Sequence, residues 1–196
     1  GEDWEEMALA GMYRFNKFGF DWQFLGGYVR KDAVLGAGWS GSIKGAGFRG
    51  EATWFQHEAK LKDTTGQMVA SLSLDYMFPN SFYLNGGFLY NSEGTTGKAT
   101  RPLMFMSNQD LSVKTLTPSR AETYLQMSYP VTPLLNATLS TIYNPFDKSW
   151  FSGPSVTYSL KENLDVMFRS QLFFGKENTE YGNVGQLYYL RLKYNF

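Results

Sequence analysis

Cysteine is absent from this chain of 196 residues. Disulfides and thiolate metal sites are therefore excluded, and the redox state of the compartment leaves no mark on the sequence. No apolar run reaches the roughly 18 residues that a membrane-crossing helix needs, so a transmembrane helix is excluded too. Charge of one sign is also lacking. Lys plus Arg and Asp plus Glu stand at 18 each, which removes both the basic excess expected of a nucleic-acid binder and an acidic tail. There is one histidine, His57. HExxH, EF-hand, P-loop and GxGxxG patterns in their structural contexts are missing, so no metal, cofactor or catalytic residue is assigned. The chain opens on acidic Gly1-Glu2-Asp3 with no leader pattern, which implies a leader already removed or a start lying further upstream.

Aromatic residues and glycine are abundant instead: 16 Phe, 13 Tyr, 5 Trp and 20 Gly. A mean hydropathy of -0.33 beside that aromatic load is odd for a soluble core. It fits a wall with one apolar and one polar face, whose contributions cancel. The pattern along the chain agrees. About eleven segments of roughly ten residues alternate with period two, the length at which a tilted strand crosses a bilayer. In 67–78, Met68, Ala70, Leu72, Leu74, Tyr76 and Phe78 oppose Ser71, Ser73 and Asp75. The polar face is mostly Ser, Thr, Gly, Asn and Gln, whereas a soluble β-sandwich would carry Lys and Glu there. Aromatics gather at segment ends (Phe15, Phe20, Phe78, Phe82, Tyr129), as interface girdles do.

The last segment, VGQLYYLRLKYNF, carries a resemblance. Tyr188, Leu190, Leu192, Tyr194 and Phe196 form one apolar face that ends on a terminal Phe. This is similar to the closing strand of bacterial outer-membrane, porin-like β-barrels. The resemblance implies that these five residues are an assembly signal, and that the fold is all-β: an antiparallel transmembrane β-barrel with about eleven strands visible, twelve or more if complete. It implies a single barrel over 1–196 in the bacterial outer membrane, with lipid, lipopolysaccharide and the barrel-assembly machinery as partners. A protein partner or homo-oligomer stays open, and no nucleic acid is expected.

The turn after the second segment is Lys31-Asp32, the sixth segment opens at Phe82, and Pro130 to Pro133 is a rigid turn after the seventh. Links between segments are short after the first, third, fifth, seventh and ninth. They are longer after the fourth, sixth, eighth and tenth, while the link after the second is short. Barrels of this kind have short periplasmic turns and long external loops. The last segment then ends on the periplasmic side and the first descends from outside, an odd count. The expectation is a C-terminal part of a larger barrel. Charged residues on the polar face become candidates for the lumen lining: Arg14, Asp21, Arg49, Glu51, Asp75, Asp165, Arg169, Arg191 and Lys193. Arg169, Arg191 and Lys193 lie on adjacent strands and form the most one-signed group, which favours anions. The longest irregular stretch, 91–120, is an external loop. Its apolar run Leu103-Met104-Phe105-Met106, after Arg101, is expected to tuck into the mouth or against a partner, and these five are the constriction candidates. The functional expectation is passive diffusion of small solutes. A non-conducting barrel with a structural role is the alternative, and an enzyme is weakest because His57 has no serine two residues on.

Overall fold

In the computed structural model, residues 8–57, 66–97, 114 and 117–196 are described here. They form one antiparallel sheet in which every strand pairs with its sequence neighbour. The order is β1 (Ala8–Lys17), β2 (Phe20–Val29), β3 (Asp32–Ile43), β4 (Ala46–His57), β5 (Gln67–Met77), β6 (Tyr83–Asn91), β7 (Ala121–Thr132), β8 (Leu135–Asn144), β9 (Ser149–Lys161), β10 (Leu164–Phe174) and β11 (Gln186–Tyr194). Register converts the period-two pattern into continuous rows. Tyr13 lies opposite Phe24, then Ala37, Ala52, Ala70 and Tyr90 follow across β3 to β6. One step along, the row is Arg14, Gln23, Gly38, Glu51, Ser71 and Leu89. A one-residue slip on any strand would exchange the faces, so the alternation itself fixes the register.

The apolar face is exposed. Leu9, Leu35, Leu190 and Leu192 each keep about 70% of their surface. The buried apolar side chains, by contrast, are few: Val34, Val69, Ala121 and Tyr181 among the described residues. A soluble sheet with this surface would aggregate; a sheet solvated by lipid needs it. At the short-turn end of this face the aromatics form a band. Phe20 meets Phe48 edge-on at 6.4 Å, Trp39 lies 5.8 Å from Phe48, and the Tyr76–Phe78–Phe82–Tyr129 chain continues at 4.7, 5.6 and 6.3 Å. Trp39 lies over Gly50 and Phe20 over Gly41, each ring occupying the space of a missing side chain on the next strand. At the opposite end, Trp150 and Phe174 stack at 4.1 Å.

Three tight turns have consecutive positive-φ residues: Phe18–Gly19, Arg30–Lys31 and Lys44–Gly45. These suit two-residue hairpins, whose twist matches that of the strands. The turn expected at Lys31–Asp32 sits one residue earlier, because Asp32 pairs with both Val29 and His57. The turn expected from Pro130 starts later. β7 runs on to Thr132 with a register shift between Pro130 and Thr132, and such an irregularity accommodates a residue without an N–H. Phe82, expected in a strand, closes a turn instead, where Phe78 N donates to its carbonyl at 2.8 Å. β1 and β11 pair with no further strand among the described residues.

Candidate functional site

All nine charged candidates lie on the polar face. Register puts Arg14, Asp21, Arg49, Glu51 and Asp75 on β1 to β5, and Asp165, Arg169, Arg191 and Lys193 on β10 and β11. Their partnerships differ. Arg49 Nη1 donates to Asp75 Oδ1 at 2.5 Å. Asp21 accepts from Asn16 at 2.9 Å, and Glu51 accepts from the Ser71 hydroxyl at 3.3 Å. On the other side Asp165 accepts from Ser159 at 2.7 Å. Arg169, Arg191 and Lys193 are exposed and have no ion pair among the described residues. The five assembly-signal residues share the other, apolar face of the last strand and its end, where Phe168 stacks on Tyr188 at 6.4 Å.

The constriction candidates Arg101, Leu103, Met104, Phe105 and Met106 lie outside the described residues. The end of the same loop is informative. Lys114 Nζ pairs with Asp32 and lies 5.2 Å from the Phe55 ring centroid. Its carbonyl accepts from Gln67 Nε2 at 2.8 Å and from Asn91 Nδ2 at 3.3 Å. Asp32, Phe55, Gln67 and Asn91 belong to the polar face by register. Lys114 therefore lies over the polar face of β3 to β6 at the long-loop rim.

A second loop lies over β7 to β9. Glu180 and Tyr181, from the β10–β11 connection, keep 4% and 6% of their surface. The Glu180 amide donates to Asp147 Oδ2 at 2.6 Å, and its carboxyl accepts from Asn144 Nδ2 at 2.8 Å. Tyr181 N donates to Ser149 Oγ at 3.2 Å, and its hydroxyl donates to Glu122 Oε1 at 3.3 Å, which also accepts from Thr117 Oγ1 at 2.8 Å. Burial, the hydrogen bond with Glu122, and the charges of Glu122 and Asp147 push the Glu180 carboxyl up to about 9, although Asn144 pulls it down. At neutral pH its carboxyl therefore keeps its proton. Burial and the same carboxylates push the Tyr181 phenol up as well. Sequence reading missed this cluster. The one visible signal was Asn144-Pro145, a turn-initiating pair. Here Asn144 Oδ1 accepts from Phe146 N at 2.9 Å, freezing that turn so that Asp147 and Ser149 face the loop.

Between these anchored loops and the short turns, the polar face of β7 to β10 holds a concavity of about 640 Å³. Its walls include Gln126, Thr138, Ser140, Ser155, Thr157 and Arg169, with Phe151 beside Gly153. Groups of three or more potential metal ligands are absent among the described residues.

No protein-family model matches the sequence, and no curated protein matches it. Similarity appears in three dimensions. The crystal structure of Pseudomonas aeruginosa OccK10 (OpdN), an outer-membrane porin, superposes with a TM-score of 0.54 at 15% identity, over 95% of this chain and 60% of that one. The chain thus spans about 60% of the length of that porin. At this identity the likeness speaks for the fold, and it agrees with a sheet that is apolar and exposed on one side, polar on the other, and antiparallel throughout. The fold is that of an outer-membrane, porin-like β-barrel wall.

Proposed function

We propose that the chain forms part of the wall of an outer-membrane channel for passive diffusion of small solutes. One observation carries this reading: the separation of an exposed apolar face from a polar face that loops fold over at one rim only. Lipid suits the first face, and water and solute suit the second. β1 and β11 run in the same direction, since an odd number of antiparallel strands separates their outer edges. Closure by antiparallel pairing throughout then needs an odd number of further strands between β11 and β1. Arg169, Arg191 and Lys193 have no ion pair among the described residues and form the most one-signed group on the face, which favours anions there.

Single-channel conductance in planar bilayers tests the proposal. Discrete steps with an anion preference that falls on Arg191→Glu support it. Absence of conductance from folded protein would instead support a non-conducting structural role. That second reading draws on β1 and β11, which pair with no further strand among the described residues and can accept a partner's strands.

A further inference from the structure

The geometry points to a docking subsite for neutral polyhydroxylated solutes, mono- or disaccharides in size, on the polar face of β7 to β10. It rests on the channel reading in one respect: this face must be open to solute. The wall there is uncharged except at one edge. Ser140, Ser155 and Thr157 stand on neighbouring strands and have no protein partner among the described residues. Gln126 and Asn136 have their amide oxygens occupied by the hydroxyls of Tyr124 at 2.6 Å and Ser128 at 3.2 Å. Their amide N–H groups are left as donors. Hydroxyls both give and accept, so the patch offers mixed valence at the strand spacing of about 4.8 Å, which is close to the span across a sugar ring. A cavity of about 640 Å³ falls in the range of small-molecule sites.

An apolar floor completes the site. Phe151 leans over Gly153, where an added Cβ would meet the ring at 3.0 Å. The ring is held by Phe173 at 5.1 Å. The absence of a side chain at Gly153 thus lets an aromatic surface lie low in the wall, and Met167 flanks it. Carbohydrate rings present a C–H face and a hydroxyl rim, and this arrangement of ring below and hydroxyls around matches both. An anion would use Arg169 and leave the hydroxyl rows unused. A polyol uses the rows and needs Arg169 only as one more donor.

Saturation-transfer NMR on the full chain folded in detergent micelles, with maltose and its carboxylate analogue maltobionate as probes, decides the matter. Maltose should bind with millimolar affinity. The variant Ser140→Ala/Ser155→Ala/Thr157→Val removes three hydroxyls with little change in volume and no change in charge. It should weaken maltose about tenfold, while Arg169→Gln should change it less than about threefold. Asp75→Asn, on the other half of the wall, should leave it unchanged, and circular dichroism confirms that each variant is folded. No maltose binding, or an unaffected triple variant, overturns the subsite. So does maltobionate binding more than tenfold tighter than maltose and lost in Arg169→Gln, which marks an anion site. Conductance measured on the same preparation separates the two readings. Maltose binding without conductance upholds the subsite and removes the channel, and conductance without maltose binding removes the subsite alone.

Discussion

The two halves of the polar face solve one problem differently. β1 to β5 carry five charges: Arg49 is ion-paired with Asp75, Asp21 and Glu51 accept hydrogen bonds from the neutral Asn16 and Ser71, and Arg14 has no ion pair among the described residues. Their loop is fastened by an ion pair, Lys114 with Asp32. Their registers run without a shift. β7 to β10 carry hydroxyls and amides, leave Arg169 unpaired, and contain both register shifts, at Pro130/Thr132 and Leu164/Asp165. Their loop is fastened by a buried acid, Glu180, that holds its proton. Arg49 and Asp75 screen one another, so that pair sets little selectivity. The concavity of β7 to β10 is lined by hydroxyls and amides with one charged residue, Arg169, which has no ion pair among the described residues. On the channel reading proposed above, β7 to β10 form the solute-facing half, and β1 to β5, with no register shift, form the stiff half.

The largest difference to break concerns the two loop anchors. Glu180 is drawn up from 4.5 to about 9 where the loop is docked. With the loop released, the group returns to its ordinary range. The docked state binds the proton more tightly, so its stability is fully present below about 4.5 and is lost as pH rises towards 9. Glu122 from β7, Asp147 from the β8–β9 turn and Tyr181 beside it are the titratable groups around it, and the charges of Glu122 and Asp147 oppose its ionisation. Limited proteolysis within 175–185 should therefore accelerate by at least about tenfold between pH 5 and 9, roughly one pKa unit's worth of linkage or more. Glu180→Gln should flatten that profile, because an amide is neutral throughout. A profile unchanged by the substitution would refute the anchor.

The pairing contrast can be inverted by one substitution on each half. Asp75→Asn leaves Arg49 without its carboxylate, so the stiff side acquires a free cation. Anion preference measured by reversal potential should rise by about twofold to threefold, a change on the order of 0.5 kcal/mol, as exposed charges at this screening give. Arg169→Gln should lower it by a similar factor. Equal responses of opposite sign support the contrast. A null effect at Asp75 would show that Arg49 was already visible to ions.

Much of this was legible in the sequence, and the reason is physical. Alternation in Met68–Phe78 or Tyr188–Tyr194 fixes register because lipid and water each demand one face, so strand number, polarity and the side of all nine charges were readable. The faces of Arg49 and Asp75 were readable; their pairing was not, because it needs the β4–β5 register that puts Asp75 opposite Gly47 and diagonal to Arg49. The acid cluster was invisible for a related cause. Glu122, Asp147 and Glu180 are far apart in the chain, and the β8–β9 and β10–β11 connections must meet over the end of β7 before they come together. The turn misplaced at Pro130 has a different origin: proline reads as a turn signal, yet a register shift lets a strand carry it.

On the apolar face, the stiff half relies on rings over glycines. Gly50→Val would force Trp39 out of its place, since even a Cβ at residue 50 would overlap the ring. Overpacking of this kind costs about 1–3 kcal/mol. Urea unfolding of the micelle-bound protein should show that loss.

The smallest expected effect tests whether the irregular half is irregular because of its proline. Pro130→Val restores a backbone N–H where β7 pairs Pro130 with Asn136 before the shift. A new ladder hydrogen bond is worth about 0.5–1.5 kcal/mol net. The loss of proline frees the unfolded chain and costs about 0.4–1 kcal/mol. These terms oppose each other, so stability should move by less than about 1 kcal/mol. The amide chemical shifts of Asn136 and Thr138 should move little, because the hairpin at Pro133–Leu134 and the Ser128–Thr138 hydroxyl contact at 3.2 Å hold the pairing on both sides. A large gain in stability together with displaced β8 resonances would mean that the proline, not the hairpin, sets the shift. The shallow concavity beside it would then be a consequence of one residue, and Pro130 would belong to the solute-facing half as firmly as Arg169.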